Sequence, residues 1–194
     1  MLNKLLTYLQ NRRRSKLLVN VAPDMIYGYN NHGVLLKDTR VGSSTTFVGK
    51  ENLTLEDNVF IGQYNFVEAS NGILIREGCQ ITNYISILTH SSHNSIRYYG
   101  KEYRKNEDLK GYVKGSVEIG MYSFIGPHVT IMPDTKIGKG CIVSAYSMLK
   151  GEYPDFSIIA GNPAVVIKST KEADEHFLNE NPELKEYYNE WANR

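Results

Sequence analysis

The chain has 194 residues, a formal net charge of +1 and two cysteines. That length allows one domain with a sizeable core, the near balance of charge gives no electrostatic footprint for nucleic acid, and two cysteines make no disulfide framework. No apolar run approaches the ~18 residues of a membrane span and no signal-peptide pattern opens the chain, so a reducing, cytoplasmic location is the expectation.

Residues 1–20 read as a helix. Leu2, Leu5, Leu6 and Leu9 fall on one face at helical spacing, and Lys4, Arg12, Arg13, Arg14 and Lys16 add a basic cluster. The expected role is docking on the body or on a neighbouring subunit. The charge also suits a weak contact of residues 1–16 with an anionic membrane surface. Pro23, Gly28 and Gly33 mark residues 21–34 as a loop or a poorly formed first turn.

From Leu35 a six-residue period sets in. Leu35, Val41 and Phe47 form one set, Leu55, Ile61 and Val67 the next, and Ile75, Ile81 and Ile87 a third. Sets start twenty residues apart, at 35, 55 and 75. The extra residues fall near Asn52, Asn71 and Gly72, which suit a turn. The period is cleanest later, where Ile119, Ile125, Ile131, Ile137, Val143 and Leu149 open six blocks. Most second places are small (Gly120, Gly126, Gly138, Ser144), and the fifth places are Ser123, Val129, Thr135, Cys141 and Ser147.

Six is neither a helix period nor a plain strand period. It reads as an all-β solenoid, a parallel β-helix of hexapeptides with one short strand and one corner per block. Three blocks make a triangular coil, so Ile119 lies under Ile137, Ile125 under Val143 and Ile131 under Leu149. Burying each such side chain contributes roughly 1.5–3 kcal/mol. The fifth place turns inward near a corner, where only a small side chain fits. Cys79 and Cys141 both occupy fifth places and read as small buried residues. Glycine at the second place is expected to accept corner geometry that a bulky residue resists.

The register breaks after Ile87. Residues 90–114 are polar, rich in tyrosine and out of phase. Long excursions from compact domains tend to be functional or disordered. The faces of a β-helix are smooth, so a pocket must come from such an excursion or from a neighbouring subunit. The segment is read as a loop that leaves the prism and covers a site. Beyond Leu149, residues 152–168 give a last irregular turn and strand. Ser169, Thr170 and Glu172 signal the cap of a helix over 170–180. Asn181-Pro182-Glu183 starts a second helix, with Leu184, Tyr187, Tyr188 and Trp191 as its apolar stripe. This pair is expected to cover the open end of the prism. The chain thus divides into a lead-in with an N-terminal helix (1–34), the β-helix with its protruding loop (35–168, loop 90–114) and C-terminal helices (169–194).

His90 and His93 sit where the regular coil ends and the loop begins. With a reference pKa of ~6.5, histidine accepts a proton near neutral pH. A base on a rigid strand end, beside a loop, is placed to activate a substrate hydroxyl. His128 lies inside the hexapeptide run, His32 in the early loop and His176 on the terminal helix. Three open-site ligands are a normal set for catalytic zinc. The spacing of His90, His93 and His128 does not match the carbonic anhydrases of this architecture, and no metal is expected. No phosphate loop, dinucleotide fingerprint or serine elbow appears. Lys150 and Lys168 flank the last turn and suit phosphate groups as point charges.

The hexapeptide run, the Thr89-His90 step before an extended loop, and the stretch Gly161-Asn162-Pro163-Ala164-Val165-Val166-Ile167-Lys168 together resemble the hexapeptide-repeat acyltransferases. Among these the chain looks like the sugar O-acetyltransferases: the maltose and galactoside enzymes and those that decorate capsule and O-antigen sugars. The resemblance covers roughly residues 35–168. It implies a left-handed parallel β-helix, an exception to the right-handed crossover rule, and a homotrimer with sites between subunits. It also implies acetyl-CoA as co-substrate and direct attack of a sugar hydroxyl on the thioester, with surface polysaccharide biosynthesis as the setting.

Carried over residue by residue, the resemblance makes His90 the base, with His93 as its rival. Asn65 matches the asparagine that holds the sugar. Phe124 stands where many relatives carry tryptophan. Gly126 and Ala145 fall on the cofactor's path, Ala145 offering a backbone amide to the pantetheine arm. Lys150 and Lys168 lie toward the CoA phosphates. Two departures stand out. Pro127 occupies the position whose N–H usually stabilises the oxyanion, and proline has none. Val165 replaces a frequent Arg or Lys. The tyrosines Tyr98, Tyr99, Tyr103 and Tyr112 suit a carbohydrate acceptor. The competing readings are N-acetylation of an amino sugar or an antibiotic, and a non-catalytic β-helix scaffold.

Overall fold

The computed structural model describes residues 9, 10, 12, 13 and 22–194; Leu9, Gln10, Arg12 and Arg13 are helical, and the rest of the expected N-terminal helix, with most of its basic cluster, lies outside the described residues. Within 22–194 the aliphatic register becomes three columns of stacked parallel strands. Val41, Ile61, Ile81, Ile125, Val143 and Ile159 pair in one column. Phe47, Val67, Ile87, Ile131 and Leu149 pair in the second. Leu55, Ile75, Ile119, Ile137 and Tyr153 pair in the third. Apart from the half-buried Phe47, all of these are buried.

The first column is one eight-stranded sheet, and the other two belong to a second. This second sheet turns a corner. Strand Thr130–Ile137 pairs with Ser86–Leu88 at its start and with Val117–Ile119 at its end, and its register shifts between Ile131 and Thr135. The fifth places Ser123, Val129, Thr135, Cys141 and Ser147 are buried, as is Cys79, and both cysteines are free thiols. Burial pushes the Cys79 thiol up to about 12, which keeps it an inert filler.

Four details differ from the sequence expectation. Leu35 is exposed, because it pairs with Asn30 in an antiparallel hairpin of Met25–Asn31 and Val34–Gly42 that closes the first sheet. Asn31 takes the place beside the third column instead. Its Nδ2 donates to Leu53 O (3.0 Å) and its Oδ1 accepts from Leu55 N (2.9 Å), so one side chain stands in for a missing strand.

The second-place glycines also have a different cause. A Cβ on Gly120 would come within 2.4 Å of the Gly138 backbone, and one on Gly126 within 2.8 Å of Ala145 N. They are glycine because the next rung passes too close for a side chain. The left-handed backbone falls at the fourth place of the first five of these blocks, on Tyr122, His128, Asp134, Gly140 and Tyr146, with φ from 55° to 64°.

The terminal helices, Lys171–Glu180 and Lys185–Ala192, lie along an edge rather than over the open end. Trp191 stacks on Tyr122 (4.8 Å) and Phe156 (5.8 Å), and Arg194 pairs with Glu77 (2.9 Å). These partners come from successive rungs at one corner, where protruding rings offer apolar area that a flat end of exposed strand edges lacks. Finally, the Thr170 hydroxyl makes no capping bond. It is buried without a partner, and the Ser169 hydroxyl accepts from Lys171 N instead.

Candidate active site

The rung that carries His90 runs from Ile75 to Ile119, forty-four residues in place of the eighteen or twenty of its neighbours. The excess leaves through a two-stranded antiparallel ribbon in which His90 pairs with Lys114 and Ser91 with Val113. Beyond the ribbon the excursion is ordered. It holds a short helix, Ser95–Tyr99, and a 3-10 turn, Gly100–Lys105. The buried Ser95 hydroxyl donates to Lys110 O (2.9 Å), and Lys110 N donates to Tyr99 Oη (3.1 Å). A cavity of about 450 Å³ opens among Tyr103, Glu107, Asp108, Leu109, Tyr112 and Lys114.

Glu68 ends the strand Phe66–Glu68, one residue after Val67 of the second column. Strand alternation turns it away from that column, yet it is only 3% exposed, because Thr89 and His90 of the next rung fold over it. Its carboxylate accepts from Ser70 N (2.9 Å), Thr89 N (3.1 Å), Thr89 Oγ1 (2.8 Å) and His90 Nδ1 (2.7 Å). Burial opposes its charge, but the bonds from Ser70 and Thr89 outweigh it and hold the carboxyl down to about 2. Glu68 is therefore anionic at neutral pH.

This fixes the tautomer of His90. An ionised carboxylate only accepts, so Nδ1 carries the proton and neutral His90 presents a lone pair at Nε2. Among the described residues Nε2 has no hydrogen-bond partner, and the side chain is 35% exposed. Tyr112, on the returning arm of the loop, stacks on the imidazole with centroids 5.5 Å apart and planes 11° off parallel. A buried anion on one nitrogen and an open lone pair on the other is the arrangement of a general base.

His93 is exposed, and its Nδ1 is bonded to the Ser91 hydroxyl (2.8 Å). It has no buried anion to orient it. His128 belongs to a different corner. It stacks between Tyr84 (5.0 Å) and Tyr146 (4.7 Å), and Tyr64 extends the ladder beyond Tyr84 (5.1 Å). The three histidines weighed as a zinc set thus have separate partners. Among the described residues no group of three His, Cys, Asp or Glu is arranged to hold a metal ion.

Asn65 receives a different role from the one expected. It is buried at 2% exposure, its Nδ2 donates to Thr82 O (2.8 Å) and its Oδ1 accepts from Ile85 N (2.8 Å). Each end of the amide makes one bond inside the wall, so it brackets a corner, and burial rather than an open face is its setting in this chain. Phe124 is exposed on the outer side of the first sheet, between Gln80 and Ile142. Gly126 is buried against Ala145, whose amide makes none of the hydrogen bonds among the described residues. Lys150 and Lys168 are both exposed on neighbouring terminal strands, Met148–Tyr153 and Ala164–Ser169.

Sequence reading missed Glu68. A signal was present: a lone acid in an apolar strand, one twenty-residue coil before Leu88, stands beside Thr89 and His90 on the next rung.

Comparison with known proteins agrees with the repeat. The bacterial transferase hexapeptide model (six repeats) matches residues 116–151. The Escherichia coli (strain K12) protein WbbJ, named provisionally as a lipopolysaccharide biosynthesis O-acetyl transferase, is 29% identical over 130 residues, 66% of each chain. A galactoside acetyltransferase solved in complex with coenzyme A is 22% identical with a TM-score of 0.58, over 68% of this chain and 62% of that one. A point mutant of AntD, an N-acyltransferase from Bacillus cereus solved with dTDP and coenzyme A, is 20% identical with a TM-score of 0.55, over 73% of this chain and 88% of that one. The two solved structures share the architecture. The chain spans just under two thirds of WbbJ and of the galactoside enzyme.

Proposed function

We propose that this chain, whose repeats match those of the bacterial hexapeptide transferases, is an acetyl-CoA-dependent O-acetyltransferase acting on a sugar hydroxyl. The observation that carries this reading is His90, tied through Nδ1 to the buried Glu68 carboxylate and open at Nε2. A hydroxyl is a poor nucleophile until its proton is removed, and Nε2 is set to take that proton as the oxygen attacks the thioester carbonyl. The new C–O bond forms, the C–S bond breaks, and the imidazolium returns its proton to the departing thiolate. Glu68 stabilises the imidazolium while it exists. Pro127 offers no N–H to the oxyanion. The unengaged Ala145 amide, kept clear by Gly126, serves the cofactor side, and Phe124, Lys150 and Lys168 belong to that side of the proposal.

The names of WbbJ and the galactoside enzyme support a sugar acceptor, and the coenzyme A bound to the latter supports the donor. A left-handed coil, a homotrimer with sites between subunits, a cytoplasmic location and a place in surface polysaccharide biosynthesis belong to the same reading. So do the divisions 1–34, 35–168 and 169–194. The name of AntD, an N-acyltransferase also solved with dTDP-4-amino-4,6-dideoxyglucose, supports a second reading, N-acylation of an amino sugar.

Thiol release from acetyl-CoA with a panel of neutral and amino sugars separates the two. His90→Ala is expected to abolish transfer while a thermal shift with CoA persists. Near-normal turnover in that variant overturns the mechanism. No shift with CoA in the unaltered protein favours a scaffold.

A further inference from the structure

His90 has two restraints, and only one is its carboxylate. Glu68 fixes Nδ1, but a single hydrogen bond leaves the ring free to swing about it. The second restraint is the face of Tyr112, stacked 5.5 Å away. Tyr112 comes from the far end of the excursion, and the pairing of His90 with Lys114 sets its height. The same side chain lines the loop cavity of about 450 Å³, beside Tyr103 and Leu109. Lys114 Nζ lies over the Tyr112 ring at 5.5 Å and holds it from its own strand. One ring is therefore both a wall of the cavity and a support of the base.

We infer that Tyr112 is a positioning residue for His90 and that the loop cavity it walls receives the acceptor, so that acceptor binding and base alignment pass through one ring. This rests on the acyltransferase reading above. The contribution belongs to the flat aromatic face, because Tyr112 makes no hydrogen bond through its hydroxyl among the described residues. Glu107 and Asp108 border the cavity against one cation, Lys114, so the acidic balance suits a neutral or amino sugar better than an acidic one.

The test compares Tyr112→Phe, which keeps the ring, with Tyr112→Leu, which keeps apolar bulk without it. Transfer is followed by thiol release with methyl galactoside, methyl glucoside and glucosamine as acceptor probes. The Phe variant is expected within threefold of the parent. The Leu variant is expected to lose at least tenfold in kcat and to raise the acceptor KM, with the acetyl-CoA KM unchanged. In parallel, NMR of 13C,15N-histidine protein reads the order of the His90 ring without any acceptor. Rigid ring signals in parent and Phe protein, and averaged ones in Leu protein, are expected. Identical His90 signals in all three overturn the positioning role, even if no probe is acetylated. Normal kcat and acceptor KM in the Leu variant overturn it as well. Absence of thiol release with every probe, alongside the expected NMR difference, counts against the acyltransferase reading and leaves the positioning role standing.

Discussion

Replacing Glu68 by Gln removes one charge and keeps the shape. Its effect can be worked from the four bonds at that carboxylate. Three donors, Thr89 N, Thr89 Oγ1 and His90 Nδ1, converge on Oε2, and only Ser70 N reaches Oε1. The glutamine oxygen will take the first place, and its NH2 will then face the Ser70 N–H. That leaves buried donors opposed, which costs about 1–3 kcal/mol of stability. The catalytic effect is separate. A carboxylate and an imidazolium about 4 Å apart, at an effective dielectric of about 20, attract by about 4 kcal/mol. If half of that is felt with the proton half transferred, the barrier rises by about 2 kcal/mol and kcat falls about 30-fold. The acetyl-CoA KM is expected to stay constant. Urea unfolding measures the loss of stability, and thiol release at saturating acetyl-CoA measures the loss of rate. Glu68→Asp, which keeps the charge but shortens its reach, separates charge from distance. A folded Glu68→Gln protein with kcat within threefold of the parent would refute the role assigned to the pair.

Acid stability follows from the same group. A carboxyl held from 4.5 down to about 2 in the fold adds stability above its unfolded value, and that stability drains away as pH falls from about 4.5 toward 2, by about 3 kcal/mol in total; urea unfolding at pH 5 and pH 2.5 is expected to show this loss in the parent and a smaller one in Glu68→Gln. Gly126→Ala puts a Cβ 2.8 Å from Ala145 N and Val143 O, so it is expected to lower stability by about 1–3 kcal/mol and to weaken the thermal shift with CoA. Ile125→Ala empties a fully buried place in the first column and is expected to cost about 2–5 kcal/mol in urea unfolding. Trp191→Ala removes the ring that joins the last helix to Tyr122 and Phe156; hydrogen exchange is expected to rise over Lys171–Ala192 and to stay slow at Ile125 and Ile131.

The repeating body was legible because its cause is local and recurs. Every sixth residue meets the same interior, so the pattern appears wherever it is sampled, and the pairings Ile119–Ile137, Ile125–Val143 and Ile131–Leu149 follow from counting. Counting misled where the repeat ends. Leu35 continues the period but has no rung beneath it, and a hairpin with Asn31 is the better closure. It also misassigned the second-place glycines, because a run of small residues does not distinguish a left-handed corner from a rung passing too close.

His90 and His93 were both singled out from the sequence, as the histidines at the break in register, and only the resemblance preferred His90. Asn65 was singled out too, but its type does not reveal that each end of the amide makes a bond inside the wall, to Thr82 and Ile85. Nor did anything local mark Glu68 as the partner of His90 or Tyr112 as its support. Those three meet because one coil adds twenty residues and the excursion returns in a particular register, placing Lys114 opposite His90. The sequence by itself determined the columns, since burial of aliphatic side chains repeats with the chain. Only the tertiary structure decided the site, since its charge, tautomer and stacking come from groups on separate rungs whose approach depends on how the rungs stack and where the loop comes back.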